Sequence, residues 1–152
     1  METKKAACAG VGAPGAGVPG AAPMEFVDPA YKTGAGRYLQ GPCVLDKLGV
    51  EVARLGTRAF AVAGPNGWRV SGERVRASLA AAGVPLVEAV RDCSTSYEET
   101  RRLAAQAAAA SCDVIVGVGG GRIMDLAKAV AASGDWPVVQ VPTSVATCAA
   151  FT

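Results

Sequence analysis

The chain has 152 residues, 51% hydrophobic and 18% charged, with a formal net charge of +2. That composition is globular rather than disordered, and the length suffices for one domain with a core of its own. With no basic cluster beyond Lys4-Lys5 and Arg101-Arg102 and only 5% aromatic residues, nucleic acid is not an expected partner; no apolar run reaches the ~18 residues of a membrane span, so neither is a membrane.

Residues 1–23 are rich in Ala, Gly and Pro and read as a flexible extension. Lys4-Lys5 and Ala21-Ala22-Pro23 mimic the ends of a signal peptide, but the stretch between lacks a leucine-type apolar centre. Residues 24–152 then read as one α/β domain. The segment up to Gly41-Pro42 suggests a short strand or hairpin. Apolar residues at helical spacing predict a helix over 44–55, stopped by Gly56, and AFAVA over 59–63 predicts a buried strand. Gly64-Pro65-Asn66-Gly67 reads as a turn. A helix over 70–82 closed by Gly83 and a strand over 86–90 follow. Ser96 with Glu99 three residues on forms a capping box for an alanine-rich helix reaching Ala110.

The most informative stretch is DVIVGVGGGRIMDLAK, residues 113–128. Val114, Ile115 and Val116 suit a buried parallel strand, Gly117 and Gly119-Gly120-Gly121 a turn, and residues 122–133 a helix ended by Gly134. Strand, glycine turn and helix is the layout that holds phosphate. Glycine lets backbone approach a ligand closely, and the helix start offers free N–H groups and the positive end of its dipole. A plain βα turn is the alternative, although three successive glycines exceed what a turn requires. The pattern is neither of the two common phosphate loops. No Gly-Lys pair precedes Ser or Thr, and the dinucleotide pattern that starts at Gly117 ends on Arg122 instead of glycine. Asp125 and Lys128 lie three apart on one helix face, where an ordinary surface ion pair is the competing explanation. A strand over 138–141 and the loop Pro142-Thr143-Ser144 complete the pattern. Strands alternating with helices predict a doubly wound, mostly parallel, Rossmann-like sheet, with ligands at the carboxyl ends of its strands.

Gly119-Gly120-Gly121 with Asp125 and Lys128, followed by Pro142-Thr143-Ser144, resembles the iron- or zinc-dependent alcohol dehydrogenases. Gly36-Arg37-Tyr38-Leu39-Gln40-Gly41 is similar to the first hairpin of their glycerol dehydrogenase branch, and VLDKLG over 44–49 to its first helix. The resemblance implies an NAD- or NADP-dependent oxidoreductase that moves hydride between a small alcohol and nicotinamide, and a full-length form that is a homo-oligomer. It implies cofactor contacts at Gly119, Gly120, Gly121, Arg122, Asp125, Lys128, Thr143, Ser144 and Thr152, and a substrate contact at Cys148. It also places the zinc or iron ligands in a helical domain beyond Thr152, so the 152 residues alone are expected to be inactive and to hold no catalytic residue.

The sequence departs from that branch at two positions. Val62-Ala63-Gly64-Pro65 stands where the branch has V-V-G-D, so the carboxylate that would hold ribose hydroxyls is missing and the choice between NAD and NADP is open. Cys148 replaces an aspartate of the substrate loop. A dehydroquinate synthase-like or glycerol-1-phosphate dehydrogenase-like member of the same superfamily is an alternative, as is a truncated non-catalytic nucleotide-binding module. Cys8, Cys43, Cys93, Cys112 and Cys148 show no CxxC spacing and read as reduced thiols of a cytoplasmic protein; histidine is absent from the sequence.

Overall fold

The computed structural model describes residues 30–33, 36–92, 95–144 and 148–150. They fall into two compact units, Met1–Cys43 and Val44–Thr152. In the first, strands β1 (Ala30–Thr33) and β2 (Gly36–Leu39) form the expected antiparallel hairpin, with Tyr31 opposite Tyr38. Cys43 is disulfide-bonded, against the reading of five reduced cysteines. Cys112 and Cys148 are free thiols. Spacing along the chain says nothing about how close two cysteines come in space, which is what a disulfide requires.

The second unit begins with a tight 3₁₀ turn, Val44–Lys47, and a short helix, α1 (Leu48–Ala53), in place of one helix over 44–55. The hydroxyl of Ser78 donates to the Asp46 carbonyl at 2.9 Å and accepts from the Gly49 N–H at 2.9 Å. A Cβ at Gly49 would lie 2.0 Å from the Ser78 carbonyl oxygen, so α1 crosses its neighbour with backbone nearly touching backbone.

The sheet contains β3 (Ala59–Ala63), β4 (Leu86–Val90), β5 (Val114–Gly119) and β6 (Val138–Pro142), all parallel, in the order β4-β3-β5-β6. The crossovers are α2 (Pro65–Ala81), α3 (Tyr97–Ala109) and α4 (Gly121–Ser133). Strand side chains alternate between two cores. Ala59, Ala61, Ala63, Val114, Val116 and Val118 pack with α1 and α2. Phe60, Val62 and Ile115 pack with α3 and α4. Both central strands are buried throughout, which explains their unbroken apolar runs. Each fully buried valine or leucine here contributes about 1.5–3 kcal/mol of transfer free energy. The doubly wound α/β class expected from the sequence is therefore the observed one.

Two element boundaries differ from expectation in ways that shape the site. Residues 64–67 are not a free turn: Gly64 is the N-cap of α2 and Pro65 occupies its first turn, where proline's fixed φ suits a helix start and its missing N–H costs nothing. Strand β5 does not stop at Val116 but continues through Gly119. A Cβ at Gly117 would meet Gln140 Oε1 at 2.6 Å and Ala127 Cβ at 2.7 Å, so this glycine lets α4 lie close on the sheet. At α3 the cap is as expected, with the Ser96 hydroxyl accepting from Glu99 N–H at 3.2 Å. The Glu99 carboxylate pairs with Arg102 one turn on.

Candidate functional site

In the strand order β4-β3-β5-β6, the helix after β3 covers one face and the helix after β5 covers the other. Their starts therefore diverge around a gap at the carboxyl ends of β3 and β5, the topological switch point where open α/β sheets take ligands. A cleft of about 400 Å³ lies there, lined by Gly64 to Gly67, Asp92, Gly119 to Ile123, and Thr143. The loops meet because they lack side chains. A Cβ at Gly67 would sit 3.1 Å from the Gly119 Cα and 3.3 Å from Thr143 Oγ1. Thr143 N–H donates to the Gly119 carbonyl at 2.9 Å, extending the β5–β6 pairing by one residue. Gly119 has φ +157, and a Cβ there would meet Ile123 at 3.0 Å. Ile123 is nearly buried and packs beneath Gly64 as well, joining the two helix starts from below.

Two helix N-termini face this cleft. At α4 the Gly120 carbonyl accepts from Ile123 N–H (3.0 Å) and Met124 N–H (3.1 Å). The amides of Gly121 and Arg122 have no acceptor among the described residues. At α2 the Gly64 carbonyl accepts from Trp68 N–H at 2.9 Å, and the amides of Asn66 and Gly67 are likewise left over. Unpaired amides at helix starts, reinforced by the helix dipole, favour an anion. Gly120 adds a further indication. Its φ of −86 and ψ of −176 suit any residue, and a Cβ there would have nothing within 4 Å. Neither backbone strain nor protein packing calls for glycine at this position.

Of the residues singled out from the sequence, Gly119, Gly120, Gly121, Arg122 and Thr143 come together in the cleft. Asp125 and Lys128 do not line it. They pair with each other at 3.0 Å on the flank of α4, with Asp125 largely exposed. Ser144 is exposed beyond Thr143 and outside the lining. Cys148 begins a one-turn 3₁₀ helix (Cys148–Ala150), where Ala149 is buried in the core on the α4 side and Cys148 is exposed away from the lining. Thr152 lies outside the described residues. The loop over 64–67, expected on the same edge, lines the cleft as well; the residues not anticipated are Ile123 and Asp92, and for Asp92 the available signal was its place just after a strand, on the carboxyl edge of the sheet. Among the described residues, no three His, Cys, Asp or Glu side chains come close enough to share a metal ion.

A parallel, doubly wound sheet with a glycine-lined cleft at its switch point is the architecture of open α/β folds, which take ligands at that place. The family comparison narrows this: residues 35–152 match the model of the iron-containing alcohol dehydrogenases, and the chain belongs to that family. It is 39% identical over 113 residues to glycerol dehydrogenase of Thermotoga maritima, covering 74% of this chain and 30% of that protein. It is 33% identical over 106 residues to glycolaldehyde reductase of Halobacterium salinarum, covering 70% and 29%. The crystal structure of a probable glycerol dehydrogenase from Sinorhizobium meliloti superposes with a TM-score of 0.62 at 28% identity, over 70% of this chain and 28% of that one. The chain thus spans about 30% of the length of the curated relatives it matches.

Proposed function

We propose that this chain is the nucleotide-binding part of an NAD(P)-dependent alcohol dehydrogenase acting on glycerol or a similar polyol. The observation that carries the reading is Gly120, a helix N-cap with no structural need for glycine, beside two unpaired amides. Family membership and the glycerol dehydrogenase likeness support the chemistry. In this reading Gly119 to Gly121 lie against the pyrophosphate, and the Gly121 and Arg122 amides donate to its oxygens. The Arg122 guanidinium, exposed at the cleft edge, adds positive charge, and the Thr143 hydroxyl offers a further hydrogen bond. A bound nicotinamide supplies the carbon that takes or returns hydride. The residues of this chain bind and orient it. The described residues do not fit a metal centre of the kind the family name implies.

Asp125 and Lys128 enter this reading as a charged pair on the same helix, outside direct ligand contact. The test is calorimetric titration of the chain with NADH and with ADP-ribose. Saturable 1:1 binding of both is expected, because the pyrophosphate and adenosine are common to the two ligands. Absence of binding for both refutes the reading.

A further inference from the structure

The cleft carries two charged side chains among its described lining residues, Asp92 after β4 and Arg122 after β5. Across the rim, in the strand order β4-β3-β5-β6, the lining reads Asp92, then Gly64 to Gly67, then Gly119 to Ile123, then Thr143. Arg122 stands with the glycines at the anion end. Asp92 stands two strands away.

Asp92 is carried there by strand pairing. Val90 is in register with Ala63, and the pairing runs one residue further, Arg91 N–H donating to the Ala63 carbonyl at 3.0 Å. The chain therefore leaves the sheet beside Gly64 and Pro65, and the next residue is Asp92. Its carboxylate is exposed and makes no hydrogen bond or ion pair among the described residues. Pro65, where the resembling branch has a carboxylate, faces the same cleft and can accept no hydrogen bond through its side chain.

We infer that Asp92, from the neighbouring strand, is the carboxylate that selects an adenosine ribose with free 2′- and 3′-hydroxyls. This rests on the nucleotide reading of the cleft. With pyrophosphate against Gly119 to Gly121, a dinucleotide extends along the rim over β3, and its adenosine ribose falls towards the end of β4. A carboxylate there accepts from the paired ribose hydroxyls and repels a 2′-phosphate, so the cleft prefers NAD to NADP.

The experiment compares dissociation constants of NADH and NADPH for the unmodified chain, for Asp92→Asn, and for Asp92→Asn combined with Pro65→Asp. Asparagine keeps shape and removes charge at an exposed position, so folding is unaffected. Asp92→Asn is expected to weaken NADH and tighten NADPH, moving their ratio by at least about tenfold. Pro65→Asp in that background is expected to restore the preference for NADH. A ratio unchanged within twofold, or equal weakening of both ligands, overturns the role of Asp92 and leaves the nucleotide reading standing. If neither ligand binds the unmodified chain, the nucleotide reading falls and this inference falls with it.

Discussion

Gly120→Val tests the ligand more than the fold, because a Cβ there meets no protein atom within 4 Å whereas a phosphate held against the backbone would meet it. The position has φ −86, open to every L-residue, and a Cβ built there meets nothing within 4 Å. The substitution reduces the entropy of the unfolded chain, but valine is a poorer N-cap than glycine; the two effects oppose each other, so thermal stability is expected to change by no more than about 1 kcal/mol. The binding side is the opposite. In the proposed complex a phosphate lies against the Gly120 backbone, and a valine there would keep it from the Gly121 and Arg122 amides, the two donors without an acceptor among the described residues at the start of α4. Hydrogen bonds to a charged group contribute about 1.5–3 kcal/mol each. Losing two of them at the low end costs about 3 kcal/mol, a loss in affinity of about a hundredfold.

The assay is NADH titration by calorimetry alongside a melting curve for the same preparation. The neighbouring glycine is the control. Gly119→Ala places its Cβ at 3.0 Å from Ile123 with φ at +157, so that variant is expected to lose stability and binding together. Gly120→Val is expected to lose binding while its melting temperature changes far less than that of Gly119→Ala. NADH affinity within twofold of the unmodified chain in a folded Gly120→Val protein would refute the argument that a ligand accounts for this glycine.

Gly117→Ala is expected to destabilise by about 1–3 kcal/mol through overpacking, read as a lower denaturation midpoint. Its Cβ would press on Gln140 Oε1, which can turn away, and on Ala127 Cβ, which cannot move without α4. Asp113 accepts from Thr57 N–H (2.8 Å), Thr57 Oγ1–H (2.7 Å) and Arg58 N–H (2.7 Å). Burial alone would raise its pKa, but these bonds outweigh it and hold the pKa below the ordinary aspartate value. Depressed in the folded state, the group stabilises above the unfolded pKa of about 4 and loses that contribution as pH falls below it. Asp113→Asn should therefore cost about 1–2 kcal/mol at pH 7, after allowance for partial exposure, and flatten the acid limb of a stability–pH curve below about pH 4; an unchanged acid limb would count against this.

What the sequence made legible was what period and propensity report. The strands over 59–63 and 86–90 have the bounds expected, because a buried parallel strand needs an unbroken apolar run between breakers. The cap at Ser96 was visible because it depends on residues three apart. The misread segments have different causes. A helix starts at Pro65 although Gly64-Pro65-Asn66-Gly67 has the chemistry of a turn; proline in the first helical turn is a local start signal that the turn reading passed over. Strand β5 runs to Gly119 through residues of poor strand propensity, and there side chains from α4 and β6 come into near contact with bare backbone.

The run G-V-G-G-G shows the same limit in the site. Read as a string, its glycines look equivalent and all suggest a phosphate loop. In three dimensions they divide by cause. Gly117 is small because Ala127 and Gln140 crowd it, and Gly119 because Ile123 does. Of these and Gly120, Gly120 alone faces open space. Gly117 and Gly119 are thus accounted for by the fold, and the functional inference rests on Gly120. Asp92 shows the converse. Its place just after β4 puts it on the carboxyl edge, but only the β3–β4 register carries it to the same rim as that glycine. A residue's part in this site is set by which neighbours can or cannot explain it, and that is knowable only once the strands are paired.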